Sequence, residues 1–209
     1  MPYNITAPKA GHLHCGTGGA LYIGQPKNPI ILDIAEIMER GGESMTLRAD
    51  IESDQWAKLM INLNNALNTL SGGTLLAGFA QRDYRKAWAA SIDEGLQILA
   101  ANNIKIGSFN GSDPQKFSKL MGLPDFLFKL TFQKKVKVDA AARSSMLDDL
   151  EAGKPSEIDF LQGAIINLAK SSGQNVPVNQ AIYDATQAAF KAGKSPKMSG
   201  AEIWDLVRG

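Results

Sequence analysis

A single cysteine, Cys15, leaves the chain unable to form an internal disulfide. With no basic-then-apolar leader in "MPYNITAPKAGHLHC", this favours the cytoplasm. Histidine is as scarce. His12 and His14 are the only two, and with Cys15 beside them they fall short of a convincing zinc ligand set, so no metal is expected. Charge of one sign is missing too: 22 Lys and Arg against 21 Asp and Glu leave a formal net charge of +1, which gives neither nucleic acid nor an anionic membrane surface a footprint. Apolar runs are too short and too often interrupted to span a bilayer. A G-x-G-x-x-G phosphate cradle between strand and helix is also lacking. The nearest candidate, "CGTGGALYIG", has other spacing and runs into a strand, so Gly16, Gly18 and Gly19 read as turn formers.

The chain is 44% hydrophobic over 209 residues, enough for one domain, or one domain and a fragment of another. Residues 1–51 read as β-β-α-β. "HLHCGTGGALYIG" alternates, turns through glycines and alternates again, as a hairpin would. "NPIILDIAEIMERGG" has Ile31, Ile34, Ala35, Ile37 and Met38 at helical spacing, and "SMTLRADI" is a short strand. From about Asp54 the pattern is helical, through "RDYRKAWAASIDEGLQILAANNI", "PDFLFKLTFQKKVK", "ARSSMLDDLEA", "SEIDFLQGAIINLAKSSG" with Ser156 as N-cap, "PVNQAIYDATQAAFKAG" and "SGAEIWDLVR". The last opens with Ser199 and Glu202 in capping-box spacing. The expected fold is mainly α, with residues 52–209 as a helical domain. Trp56, Trp88 and Trp204 sit at apolar helical positions and read as core, and the basic run "FQKKVKVDAAAR" as a solvated face.

One helix carries an unusual polar stripe. In "WAKLMINLNNALNTL" (56–70) the side chains Trp56, Leu59, Met60, Leu63, Leu67 and Leu70 share a face, while Lys58, Asn62, Asn65 and Thr69 stack opposite. Asparagine costs roughly 0.5 kcal/mol per position relative to Ala in a helix. Amides beside one lysine can hydrogen-bond a polar ligand without competing for its charge; the bland alternative is a solvated face.

"WAKLMINLNNALNTLSG" and "SSMLDDLEAGKPSEIDFLQGAIINLAKSSGQNVPVNQAIYDA" resemble the C-terminal half of the ketopantoate reductase (2-dehydropantoate 2-reductase) family. That family's K-L-x-x-N helix and its S-S-M-x-x-D and E-I-D segment, with P-x-N about 20 residues on, occur here in order. The resemblance implies a multi-helix domain of the 6-phosphogluconate dehydrogenase C-terminal-like type. Before it, residues 1–51 would be a remnant of a Rossmann nucleotide-binding domain. It implies an NADP-dependent reductase of a small 2-oxo acid, with Lys58 as proton donor. Asn62 and Ser145 would bind substrate, and Glu157 would stand beside the cofactor. Without the glycine loop, the chain by itself is expected to be inactive; a homodimer is a possible assembly.

Two positions depart from the family pattern. Ala66 stands where the family often has a substrate asparagine, eight residues after the lysine, and helix geometry makes Asn65 its substitute. Ala142, three residues before Ser145, replaces another asparagine. Both put the substrate's identity, more than the reaction, in question. They feed a reading as a dehydrogenase for a different 2-oxo or 2-hydroxy acid. A non-catalytic helical dimerisation module is the remaining alternative.

Overall fold

A computed structural model describes residues 4–17, 21–24, 29–43, 45–109, 111–135 and 139–209. Gly18 and Gly19, residues 136–138 of the basic run and the His14 and Cys15 side chains lie outside the described residues; His12 is exposed.

The N-terminal strands pair differently from the expected hairpin. β1 (Asn4–Lys9) and β2 (His12–Thr17) form the antiparallel pair. Ala10 and Gly11 make the turn, with Gly11 at φ +74°, the region a tight hairpin turn demands. β3 (Leu21–Gly24) instead runs parallel to β4 (Met45–Arg48). A parallel partner needs a crossover, and α1 (Ile30–Arg40) supplies it. No residue of α1 is buried, and Ile30, Leu32, Ile34 and Ile37 are all exposed.

β4 is fastened to the helices by an ion pair. Arg48 donates Nε to Asp54 Oδ2 at 2.6 Å and a second N–H to Oδ1 at 3.0 Å, a two-pronged grip on a carboxylate that is itself buried. Asp54 lies in α2 (Ile51–Asn62), three residues earlier in start than its apolar pattern suggests, because Asp50 caps it by accepting from Ser53 N.

The expected helix over 56–70 is two helices. α2 ends at Asn62, Leu63 is a turn, and α3 (Asn64–Ser71) continues to Gly72, whose left-handed φ of +66° closes it. Met60, Leu63, Leu67 and Leu70 are buried as the pattern requires, with Trp56 and Leu59 half-buried. Thr69, placed on the polar stripe by spacing, is buried instead. Its hydroxyl donates to Asn65 O at 2.9 Å, a bond that lets a small polar side chain turn inward.

α4 (Leu75–Phe79), α5 (Arg82–Ala101), α6 (Pro114–Met121) and α7 (Asp125–Lys135) follow. Arg85, 1% exposed, joins its own α5 to the other three: it donates to the carbonyls of Phe79, Met121 and Leu123 and to Asp125 Oδ1, and stacks 4.0 Å from the Phe128 ring centre. α8 (Ser145–Glu151) precedes a 3₁₀ turn (Ile158–Phe160) and α9 (Gln162–Ser171). Ser156 therefore caps the 3₁₀ turn, accepting from Ile158 N, and does not start one continuous helix. α10 (Pro177–Ala192) begins with backbone N–H groups of Val178 and Asn179 held by the two oxygens of Glu94 from α5. Asn179, fully buried, also exchanges bonds with Ser91. α11 (Gly200–Arg208) has the Ser199–Glu202 capping box.

α5 packs on α6, α9, α10 and α11, and α3 on α8, α10 and α11, so these two helices form the centre of the helical layer. Trp88 lies in the core, stacked on Phe79 with Phe117 edge-on. Trp56 and Trp204 are half-buried.

Candidate functional site

The break at Leu63 is where the distant segments meet. Four asparagines surround it, and they divide into two kinds. Asn64 and Asn68 are buried ties: Asn64 accepts the Tyr84 hydroxyl at 2.7 Å, while Asn68 accepts Ser144 N at 2.9 Å and donates to Gly73 O at 2.9 Å. Asn62 and Asn65 are half-exposed, and among the described residues their side-chain amides have no hydrogen-bond partner. Amides with open donors and acceptors beside a lysine are what a polar small molecule needs.

Lys58, one turn before Asn62, is half-buried, with its ammonium 5.9 Å from the Phe109 ring centre. A cation over an aromatic face at this range is attracted by the ring quadrupole. Phe109 belongs to the loop between α5 and α6, which docks on α2 through Gly107 N donating to Ser53 O. A Cβ at Gly107 would come within 2.7 Å of Asp54 Oδ1, so the loop can come this close only at a glycine.

Ser145 is the exposed first residue of α8. Its neighbour Ser144 caps α8 and donates its hydroxyl to Asn65 O at 3.3 Å, which fixes the head of α8 against α3. Glu157 is exposed and precedes the 3₁₀ turn, outside the first turn of any α-helix. Five residues on, Gln162 donates Nε2 to Leu63 O at 2.9 Å. The segments of Ser145 and Glu157 are thus tied to the α2–α3 break from two directions. Ala142 borders the same region, its carbonyl accepting Leu75 N at 2.8 Å, whereas Ala66 is fully buried and points into the core.

Spacing alone could not find Gln162, Ser144, Asn68 or Phe109. The hint was the density of Asn itself, more than one polar stripe can use. Two grooves, one of about 430 Å³ between α9 and α10 and one of about 290 Å³ at the head of α2, involve none of the five candidate residues. No group of acidic, His or Cys residues able to hold a metal occurs among the described residues. No described helix is long and apolar enough to cross a membrane.

The family described as ketopantoate reductase PanE/ApbA C terminal matches residues 50–190, and the chain belongs to it. A 2-dehydropantoate 2-reductase of Archaeoglobus fulgidus is 26% identical over 87% of this chain and 56% of its own length. The enzyme of that name from Mesorhizobium japonicum is 29% identical over 71% of this chain and 40% of its own. The chain thus spans about half the length of the curated relatives it matches. Among solved structures, a PanE/ApbA family ketopantoate reductase from Ralstonia eutropha JMP134 superposes with a TM-score of 0.70, at 20% identity, over 91% of this chain and 58% of the other. D-mandelate dehydrogenase in complex with NADH gives 0.69 at 16% identity, over 91% and 61%. The mainly α, multi-helix fold is shared with both.

Proposed function

We propose that residues 52–209 are the substrate-binding half of an NADPH-dependent reductase of a 2-oxo acid of the ketopantoate type. On this reading residues 1–51 are the remnant of a nucleotide-binding domain, and the enzyme works in the cytoplasm. The observation that carries the reading is the convergence of α8 and the α9 segment on the break between Asn62 and Asn65, one turn from Lys58.

Lys58 would polarise the carbonyl of the 2-oxo acid and, as the carbonyl carbon is reduced, pass a proton from Nζ to the oxygen that becomes the hydroxyl. The neutral amine then regains a proton from solvent. Asn62 and Asn65 would orient the acid, and the Ser145 hydroxyl would donate to or accept from it. A bound reduced nicotinamide supplies the hydride. Glu157, an exposed carboxylate, suits a ribose hydroxyl; the glycine turn that holds a pyrophosphate has no match in this sequence, so that contact is not assigned to these residues. A homodimer is the proposed assembly, in line with the dimeric ketopantoate reductase from Staphylococcus aureus among the structural neighbours.

A second reading, reduction of a different 2-oxo acid, is favoured by Ala66: its side chain is buried in the core and brings no amide to the site.

The test uses an enzyme in which this chain is joined to a glycine-loop nucleotide-binding half. Lys58→Ala should lower turnover by about 10²–10⁴-fold with cofactor affinity nearly unchanged. Asn62→Ala should act chiefly on the KM of the 2-oxo acid. A Lys58→Ala enzyme with near-normal turnover would refute the assignment.

A further inference from the structure

Gln162 is fully buried, yet it is poorly satisfied for a core residue. Its amide nitrogen donates to Leu63 O, while its Oε1 has no hydrogen-bond partner among the described residues. A buried acceptor without a donor is unfavourable, and an apolar side chain of the same volume would avoid the problem. The one bond Gln162 does make falls on the carbonyl of the residue that separates α2 from α3, 99 positions away in sequence.

That carbonyl lies between the two candidate amides. Lys58 and Asn62 are presented from α2 and Asn65 from α3, and the Leu63 carbonyl lies at the junction of the two helices. Gln162 also follows Glu157 by five residues, at the first position of α9. Its side chain therefore ties the segment that follows Glu157 to the α2–α3 junction while staying fully buried.

We propose that Gln162 is a positioning residue, whose amide N–H fixes the α2–α3 break so that Asn62 and Asn65 meet a 2-oxo acid in one geometry. The inference rests on the reductase reading and goes beyond it, because Gln162 touches neither substrate nor cofactor. A purely structural glutamine would affect melting and leave specificity alone.

The experiment measures kinetics and thermal melts of Gln162→Met and Gln162→Glu in the joined enzyme, with ketopantoate as the probe. Met keeps the volume and removes the donor. The KM for the 2-oxo acid should rise about tenfold or more, with the cofactor KM unchanged and the melting temperature near the parent's. The Glu variant should show a pH-dependent ratio to the parent. Protonated, its carboxyl donates to Leu63 O and the KM is restored; ionised, it repels that carbonyl and the KM rises. Parent-like KM in the Met variant, or, should that variant not fold, a pH-independent ratio in the Glu variant, would overturn the proposal. Failure of the reductase reading would be seen separately, as no turnover of ketopantoate or any other 2-oxo acid by the joined parent enzyme.

Discussion

Replacing Asn68 with Ala is the sharpest test of the division among the asparagines. The side chain is fully buried and makes two bonds of 2.9 Å, one accepted from Ser144 N and one donated to Gly73 O. Truncation leaves a buried N–H and a carbonyl without partners, each worth about 1–3 kcal/mol when orphaned, and opens a small void besides. Removing a poor helix former returns roughly 0.5 kcal/mol. The expected loss is therefore about 2–5 kcal/mol by these values, a large share of the stability of a typical domain. Asn65→Ala, by contrast, removes a half-exposed amide with no side-chain bond to the described residues and should change stability by less than about 0.5 kcal/mol. Urea unfolding of this chain, followed by far-ultraviolet circular dichroism, gives both numbers from the midpoint and slope. Equal losses for the two variants, or a loss below about 0.5 kcal/mol for Asn68→Ala, would refute the claim that one asparagine builds the fold and the other faces the ligand.

Gly107→Ala should displace the α5–α6 loop from α2, since the new methyl would meet Asp54 Oδ1 at 2.7 Å and the Ser53 backbone at 3.1 Å; a lower melting temperature and a changed environment for Phe109 in nuclear magnetic resonance spectra check this. At acid pH, the hydrogen bond from Arg85 holds the Asp125 carboxyl below its ordinary value of 3.8. A depressed folded value means that the pair stabilises the fold above the ordinary value and that this support fades as pH falls below it. Asp125→Asn should therefore flatten the acid limb of a melting-temperature profile while lowering its neutral plateau.

The helical layer was legible because its apolar spacing is regular. Ser199 announces a helix start by chemistry that acts within three residues, whereas the Asp50 cap that starts α2 went unread. What escaped was decided by partners far along the chain. Nothing near Leu63 predicts a break there; Gln162 supplies the donor from 99 positions away. The glycines after β2 looked like a hairpin tip because alternation says nothing about which strand lies alongside. α4 and α6 are too short to show a period, although Asp113 followed by Pro114 is a start signal. At the site, Lys58, Asn62 and Asn65 could be read as a stripe, whereas Thr69 required knowledge of the Asn65 carbonyl it bonds.

The dependence of α3 on remote partners bears on the order of folding. The polar groups of Leu63 and α3 are met by Tyr84, Ser144, Gln162 and Ser195, at separations of 20, 76, 99 and 125 residues. Each of these closures costs chain entropy before any bond rewards it, and the cost grows with the loop. The Arg85 junction needs loops of only 6 to 40 residues, so it can consolidate early. α3 must wait for α8, α9 and the approach to α11 to arrive. The candidate site is therefore expected to assemble late, and a nascent chain that has not yet released α8 and α9 carries Lys58 and its asparagines without the Ser144 and Gln162 ties.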